Sequence, residues 1–267
     1  MDAEDHEARR ELDRILEFVH AIEARSSTRA VPMKWGVEIF NDDFPRSWAH
    51  NFLRVEGDLE GVSVEGLVEE AERFHGAAGH AHRAITVEDE AMAEGLRGSF
   101  EDLGWVVDRL LTMVHCRGRG VPANTSGVEE VDFDTVRPAL EEFLRGMPYA
   151  DSEETVRQLV ERSLLTAAAT DVRHFAVLVE GRVVSNCDLY SDGEVAQIED
   201  VTTLEGFRGK GFARATVGKA LEEALAAQHQ LVFLVADDDD WPKEFYARLG
   251  FEPVGRSHNF TLPGTPV

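Results

Sequence analysis

A basic, glycine-rich step, Arg208-Gly209-Lys210-Gly211, lies in the second half of the sequence. Residues 198–203 before it have β-type character, and Val217, Leu221 and Leu225 after it repeat at helical spacing. A strand, a glycine-rich step and a helix together point bare backbone N–H groups and the positive end of a helix dipole at an anion. Glycine also lets a ligand approach the backbone closely. The sequence therefore predicts a pocket for a phosphorylated ligand.

The elements that must position this step are predicted from residue 128 onward in the order β-α-α-β-β-β-α-β-α-β. Predicted strands cover 128–133, 174–179, 182–188, 194–203, 230–236 and 253–262. One predicted helix starts at Thr135 with Pro138 in its first turn, and a second starts at Ser152 with a capping box. Two more helices are predicted at 212–228 and 242–249.

The first part of the chain also predicts a mixture of helices and strands. Predicted helices cover 5–25, 63 onward and 90–103, and predicted strands cover 34–40, 48–55, 82–87 and 105–115. Residues 117–127 are rich in turn formers and poor in apolar residues, which is typical of a linker. We therefore expect two domains, 1–127 and 128–267.

Composition excludes several classes of protein. With 267 residues, 43% of them hydrophobic, the chain can bury a core, and no apolar run of about 18 residues predicts a membrane span. The net charge of -24 argues against nucleic acid as a partner and weakly favours small cationic ligands. The two cysteines lie far apart, which argues against a disulfide scaffold and favours the cytoplasm. Neither the cysteines nor the scattered histidines have metal-ligand spacing, so we expect no metal site.

Two motifs carry a resemblance to a known family. The segment 208–213 (RGKGFA) fits the [QR]-x-x-G-x-[GA] loop of the GNAT superfamily of acyl-CoA-dependent N-acyltransferases, and 245–251 (FYARLGF) matches its Y-x-x-L-G-F ending. A helix and a buried strand separate the two motifs in the family's order. The resemblance, which covers residues 128–267, implies an α/β (mixed α+β) fold with a central mixed sheet flanked by helices.

The N-terminal part resembles a degenerate copy of the same domain. Its ending, a strand, a helix, Leu103-Gly104-Trp105 and a strand, parallels the ending around Leu249-Gly250-Phe251. No [QR]-x-x-G-x-[GA] step stands between a strand and a helix in 1–127. We therefore expect two tandem GNAT-like domains, of which only the second has an acyl-CoA site.

The resemblance implies acetyl-CoA as co-substrate. The oxyanion and the pantetheine would meet the backbone of the strand preceding the loop, and the pyrophosphate would meet the loop. Asp239 stands where family members often have a cofactor-contacting Asn, although the acidic run 237–240 is also typical of a solvated loop. The implied cofactor residues are Val201, Thr202, Thr203, Arg208, Gly209, Lys210, Gly211, Phe212, Ala213, Arg214 and Asp239.

The resemblance also implies an acid and a base. Glu199 holds the position of a glutamate proposed in several family members to deprotonate the amine. Asp200 is the reserve, and strand alternation predicts that it points to the opposite face. Tyr246 would protonate the leaving thiolate. A surface glutamate and a core tyrosine are the ordinary alternatives, and Trp241 could wall the acceptor pocket or anchor its helix.

The function that these residues favour is acetyl-CoA-dependent N-acetylation of a primary amine of a small molecule or peptide, by direct transfer in a ternary complex. The alternative is an acyl-CoA-binding sensor or regulatory protein without turnover. Acceptor specificity is expected in 135–168 and 190–193. Monomer and homodimer both remain open, as do acetyl and longer acyl donors.

Overall fold

The computed structural model describes residues 3–116, 118 and 123–264, so part of the predicted linker at 117–127 lies outside the described residues. The strands are β1 (Arg29–Met33), β2 (Gly36–Phe40), β3 (Phe52–Val55), β4 (Arg83–Val87), β5 (Val106–His115), β6 (Val128–Val131), β7 (Asp171–Val179), β8 (Arg182–Asp192), β9 (Val195–Thr203), β10 (Leu231–Asp237) and β11 (Phe251–Leu262). The helices are α1 (Ala3–Ser26), α2 (Val64–Ala78), α3 (Glu90–Asp102), α4 (Phe133–Arg145), α5 (Glu153–Glu161), α6 (Ser163–Ala169), α7 (Phe212–Ala226) and α8 (Pro242–Arg248). The predicted mixed α/β fold is confirmed.

Polar caps set the starts of several helices. The hydroxyls of Ser63 and Ser152 accept hydrogen bonds from the backbone N–H groups of Gly66 and Thr155, which confirms both predicted helix starts. Thr155 occupies the position where a capping box has its glutamate, so the predicted box is wrong. The hydroxyl cap alone begins α5.

The start of α4 differs from the prediction. Asp132 accepts a hydrogen bond from the N–H of Thr135, so the helix begins at Phe133 rather than at Thr135. Pro138 therefore lies inside the helix and not in its first turn. The cap also ends β6 at Val131, two residues earlier than predicted.

All eleven strands form one sheet in the order β1-β2-β3-β4-β11-β5-β10-β9-β8-β7-β6. Strand β5, from the first part of the chain, pairs with β10 and β11 of the second part. Strand β11 in turn pairs with β4 of the first part. The two parts of the chain thus exchange their last strands, and the sheet runs across the proposed domain division at residue 127.

The order of elements is repeated in the two parts. The series β1-β2-β3-α2-β4-α3-β5 corresponds to β7-β8-β9-α7-β10-α8-β11. In both series the third and fourth strands are parallel neighbours, and the last strand is separated from the fourth by the strand that the other part donates. This repeat supports a degenerate N-terminal copy of the second domain.

Helices cover both faces of the sheet around β9 and β10. On one face, Val217 and Ala220 of α7 pack in the same core cluster as Ala196 and Ile198 of β9. On the other face, Phe18 of α1 packs edge-on against Phe233 of β10, with 5.6 Å between ring centroids. Helix α1 of the first part therefore covers strands of the second.

Three local features depart from the predictions. Strand β1 was not predicted, because Arg29–Met33 holds a proline and pairs only at the edge of the sheet. The predicted strand 48–55 starts at Phe52, since Trp48–His50 form a 3-10 turn. The helical region after Ser152 divides into α5 and α6. None of the helices within the described residues is long and apolar enough to cross a membrane.

Candidate active site

Strands β9 and β10 separate at the end of their shared ladder. Their parallel pairing runs from Val195 and Leu231 to Gln197 and Phe233, and beyond that register the two strands diverge. Strand β9 also carries a bulge, because Asn186 and Asp188 of β8 pair with Thr202 and Glu199, which are three residues apart. The backbone edge of β9 beyond Gln197 is therefore free of β10.

The predicted glycine-rich step joins β9 to α7. Gly209 and Gly211 have φ angles of 74° and 82°, in the left-handed region that glycine adopts without strain. Gly211 is the N-cap residue of α7 and provides no side-chain cap. The first N–H groups of a 15-residue helix are thus left without a side-chain acceptor, which confirms the predicted strand, step and helix.

A cavity of about 650 Å³, the loop cavity, opens at this step. The predicted cofactor residues that line it are Val201, Thr203, Arg208, Gly209, Gly211, Phe212, Ala213 and Arg214. Trp241, 62% exposed, and Phe245 contribute an aromatic wall. Phe143 of α4 and Met147 also line the cavity, and the sequence analysis did not single them out.

A second cavity of about 270 Å³, the splay cavity, lies where β9 and β10 diverge. Residues 198–202 of β9 form one wall, and residues 235–237 with Pro242 and Tyr246 form the other. Val201 and Tyr246 line both this cavity and the loop cavity. The two cavities therefore meet beside the Tyr246 side chain.

A third cavity of about 480 Å³, the α1 cavity, lies on the α1 side of the sheet. Its walls come from α1, from the first part of the chain and from the exchanged strands β5 and β11. Glu199 and Val235 line both the α1 cavity and the splay cavity. Glu199 therefore lies between two cavities. The splay cavity continues to the glycine-rich step, and the α1 cavity is built largely by the N-terminal half.

Glu199 is held by its own strand. Its Oε1 accepts a 2.5 Å hydrogen bond from the Gln197 amide, and its Oε2 accepts a 3.3 Å bond from the backbone N–H of Asp200. Burial, followed by the charge of Asp200, raises the pKa of Glu199 to about 7. A carboxyl with that pKa exchanges protons near neutral pH.

Tyr246 is 8% exposed and packs against Phe245 and Phe251. Burial, followed by the charge of Glu199, raises the pKa of its hydroxyl above the ordinary value. The hydroxyl therefore stays protonated at neutral pH and is available as a donor.

Asp200 departs from strand alternation. It lies at the bulge with a φ of 49°, and its Oδ2 accepts a 3.2 Å hydrogen bond from the Tyr190 hydroxyl. Tyr190 is the cross-strand partner of Gln197 and packs on the α1 side. The prediction that Asp200 points to the face opposite Glu199 is wrong, because the extra residue turns it back toward the same side.

Two predicted cofactor residues lie outside the cavities. The Asp239 carboxylate accepts a 2.9 Å hydrogen bond from Arg109 and lines neither the loop cavity nor the splay cavity, so the predicted cofactor contact is not supported by the fold. The Lys210 ammonium donates to the Gly206 carbonyl at 3.2 Å and lies 4.8 Å from the centroid of the Phe207 ring. Thr202 lines the splay cavity.

The sequence did not predict two groups of polar side chains, a histidine–aspartate pair and a cluster of three histidines. His174 Nδ1 and Asp188 Oδ1 lie 2.7 Å apart on neighbouring strands, and Asp188 is the cross-strand partner of Glu199. Burial, which outweighs the hydrogen bond to His174, raises the pKa of Asp188 to about 6. The expectation that the histidines are scattered is wrong for a second group, in which His75, His80 and His82 come together.

Comparisons with known proteins find similarity in the second part of the chain. Residues 136–251 match the model of the acetyltransferase (GNAT) family. Over 76 residues the chain is 37% identical to an uncharacterized N-acetyltransferase of Methanocaldococcus jannaschii, a match that covers 27% of this chain and 34% of that protein. The match therefore spans about a third of the curated relative.

Solved structures resemble the whole fold. A functionally unknown conserved protein from Staphylococcus epidermidis is 16% identical with a TM-score of 0.69, and the match covers 90% of this chain and 95% of that one. A GCN5-related N-acetyltransferase from Kribbella flavida is 18% identical with a TM-score of 0.59 over 97% and 96% of the chains. A tandem GNAT protein from the clavulanic acid biosynthesis pathway is 18% identical with a TM-score of 0.54 over 80% and 75%. At these identities the likeness shows the fold alone.

Proposed function

We propose, from the match of residues 136–251 to the acetyltransferase (GNAT) family model, that the protein transfers an acetyl group from acetyl-CoA to a primary amine of a small molecule or peptide. The observation that carries the proposal is the position of Glu199 at the meeting of the splay cavity and the α1 cavity. Donor and acceptor can then approach one carboxylate from two cavities. A cytoplasmic location stays an expectation from the sequence.

The loop cavity fits the donor. The uncapped N-terminus of α7, with Arg208 and Arg214 in the cavity wall, suits the pyrophosphate of CoA. The free edge of β9 along 201–203 offers backbone groups to the pantetheine in the manner of an added strand. Trp241 and Phe245 give flat apolar surface at the cavity wall. Asp239 is not part of this proposal, because its carboxylate is held by Arg109.

The chemistry is assigned to three groups. Glu199 takes the proton from the acceptor ammonium, directly or through a water molecule, and the neutral nitrogen attacks the thioester carbon. Backbone N–H groups of 201–203 stabilise the developing oxyanion. When the C–S bond breaks, the Tyr246 hydroxyl donates a hydrogen bond and then its proton to the thiolate. The attacking nitrogen loses its second proton as the amide forms, and this proton restores the Tyr246 hydroxyl.

The position of Cys187 supports direct transfer in a ternary complex. Cys187 belongs to the core cluster on the α7 side with no exposed surface, and burial raises the pKa of its thiol. It lines none of the three cavities. A thiol in that position has no access to the thioester, which supports attack on the thioester by the amine itself.

The α1 cavity indicates the acceptor. Leu12, Ile15 and Phe233 contribute apolar wall. The carboxylates of Glu23, Glu88, Asp108 and Glu199 outnumber the guanidinium of Arg256 in the wall and give the cavity an acidic character. An acidic, partly apolar cavity attracts a cationic amine with an apolar body. The segments expected to set specificity, 135–168 and 190–193, contribute Phe143 and Met147 to the donor side but nothing to this cavity.

Thermal melting with and without millimolar acetyl-CoA tests the donor site. A ligand that binds the native state stabilises it by about 2.7 kcal/mol at a hundredfold excess over Kd, and we expect a clear rise in melting temperature. Gly211→Glu, which puts a carboxylate at the start of α7, should lose the rise. Gly98→Glu adds the same side chain on the exposed face of α3 and should keep it.

Amine-dependent release of CoA then separates enzyme from sensor. We expect turnover with apolar primary amines from a broad panel. Binding of acetyl-CoA without turnover on any amine would favour the sensor alternative. No shift in any of the three proteins would exclude both functions.

A further inference from the structure

Three buried histidines in the N-terminal half converge away from the three cavities, and a buried glutamate lies against one of them. His75 lies in the last turn of α2, His80 and His82 lie between α2 and β4, and Glu38 lies on β2. Their exposed fractions are 0%, 6%, 2% and 0%, respectively. One ligand-type nitrogen from each histidine lies within 4.8 Å of those of the other two. Such a group of buried polar side chains requires partners.

Several polar atoms of this cluster lack hydrogen-bond partners among the described residues. Both carboxylate oxygens of Glu38, Nε2 of His75 and Nδ1 of His80 are buried in this condition. His75 Nε2 and Glu38 Oε1 lie 2.8 Å apart, but their alignment does not make a hydrogen bond. Leaving a buried polar atom unpaired costs ~1–3 kcal/mol, so four at one point indicate a shared missing partner.

Hydrogen bonds to backbone carbonyls fix two of the imidazoles. His75 Nδ1 lies 3.2 Å from the carbonyl oxygen of His82, and His82 Nε2 lies 3.1 Å from that of Asn51. Because a carbonyl can only accept, each of these nitrogens carries the proton, and the opposite nitrogen of each ring keeps a free lone pair. Metal-binding histidines are oriented in the same way, by a hydrogen bond from the ring nitrogen that does not bind the metal.

We infer that His75, His80, His82 and Glu38 form a closed site for a divalent transition-metal ion, of which zinc fits the donor set best. Three imidazoles and a carboxylate satisfy zinc's preference for four ligands, and the burial of all four leaves no open position, as in a structural site. Zinc–ligand bonds of ~2.1 Å place ligand atoms about 3.4 Å apart. The histidine nitrogens lie within 4.8 Å of one another, so small shifts of the rings and of the Glu38 side chain beside His75 would bring the ligand atoms to that spacing.

The charge state of the cluster agrees with this assignment. The backbone hydrogen bonds hold a proton on His75 Nδ1 and on His82 Nε2, which leaves the other nitrogen of each neutral ring free to bind a metal. Neutral imidazole is the form that binds a metal. Burial disfavours a bare carboxylate at Glu38, and a dication would provide the opposite charge.

The site would join three elements that β-sheet pairing does not join. Gly79, with a φ of 73°, ends α2 and turns the chain so that His80 returns beside His75. Glu38 brings in β2 from the sheet. A metal here would tie the end of α2 and the following segment to the sheet, independently of the proposed acetyl transfer.

Zinc binding by the full-length protein tests the inference. The purified protein is stripped with a chelator, and Zn²⁺ is titrated in competition with a chromophoric chelator. Co²⁺ then replaces Zn²⁺ to read the coordination geometry by visible absorption. The test variants are His80→Gln and Glu38→Gln, and the matched control is His6→Gln, which changes an exposed histidine of α1. Circular dichroism establishes that each variant is folded.

The wild-type protein and the His6→Gln control should bind one zinc per chain, give the intense visible bands of tetrahedral Co²⁺, and melt at a higher temperature when loaded. Each test variant should bind zinc more weakly than the wild-type protein. The loss should exceed the ~10–100-fold that follows when a group that only hydrogen-bonds to a metal ligand is removed. Equal zinc affinity in the wild-type protein and both folded variants would overturn the site. So would a wild-type protein that binds no zinc, in which case Glu38→Gln should leave thermal stability unchanged or raised.

Discussion

Replacement of Glu199 by Gln separates two consequences of one half-buried carboxyl. The pKa of Glu199 is raised from 4.5 to about 7, mainly by burial. As the proposed base, the group is active only as the carboxylate, so the rate should rise about tenfold from pH 6 to pH 8 and level off above the pKa. Glu199→Gln cannot accept the proton, and we expect the rate to fall by ~10²–10⁴-fold and this pH dependence to disappear.

The same pKa makes Glu199 a destabilising residue at high pH. A carboxyl whose pKa is raised by folding carries no penalty below the unfolded value of 4.5, and the full penalty above the folded value of about 7. A difference of roughly 2.5 pKa units corresponds to about 3 kcal/mol. Gln at this position has no charge to bury, and its amide oxygen can still accept the hydrogen bond from Gln197.

The stability measurement requires no acceptor. Glu199→Gln should melt at the same temperature as the wild-type protein near pH 4.5 and roughly 6–12 °C higher at pH 8, since ~1 kcal/mol shifts the melting temperature by about 2–4 °C in a protein of this size. Glu129→Gln removes an equal charge from an exposed position on the edge strand β6 and should change neither melting nor rate. If Glu199→Gln is not stabilised at pH 8, the pKa is not raised. If it keeps the wild-type pH dependence of the rate, another group is the base.

Three further outcomes follow from the geometry. Tyr246→Phe should lower kcat more than it weakens acetyl-CoA binding in a thermal-shift titration, and an unchanged kcat would remove the assigned acid. Asp200→Asn removes the charge that contributes most, after burial, to the raised pKa of Glu199. The rising limb of the pH–rate profile should therefore move to lower pH. A limb that stays in place would argue against coupling between Asp200 and Glu199. Residues 1–122 and 123–267, expressed separately, should fail to fold because each lacks a strand from the middle of its sheet, whereas co-expression should give a stable 1:1 complex; a folded 123–267 fragment alone would show that the exchange is dispensable.

The donor side of the site could be predicted because it is encoded locally. A strand, two glycines and a helix follow one another within residues 198–226, and glycines 209 and 211 have the positive φ angles that the step requires. Tyr246 was placed by a motif within a single short helix. Where one segment contains all the geometry, residue types and spacing are sufficient.

The remaining features depend on contacts between distant segments. Alternation failed at Asp200, because a bulge is a property of the β8–β9 register and not of β9 alone. The spacing of the histidines in the sequence does not reveal their cluster, because the turn at Gly79 and a carboxylate from β2 form it. The spacing H-x-H at 80 and 82 beside a glycine helix end was the one available signal.

The strand exchange explains how the N-terminal half, which has no [QR]-x-x-G-x-[GA] step of its own, contributes to the proposed active site. Residues 233–237 of β10 pair with residues 110–114 of β5, starting at the register where β10 leaves β9. Strand β10 can therefore diverge from β9 without leaving its other edge unpaired, since the N-terminal half supplies the hydrogen bonds. The same half contributes α1 to the cavity on the far side of Glu199. Opening of the splay and the shape of the proposed acceptor cavity thus depend on one donated strand and one covering helix.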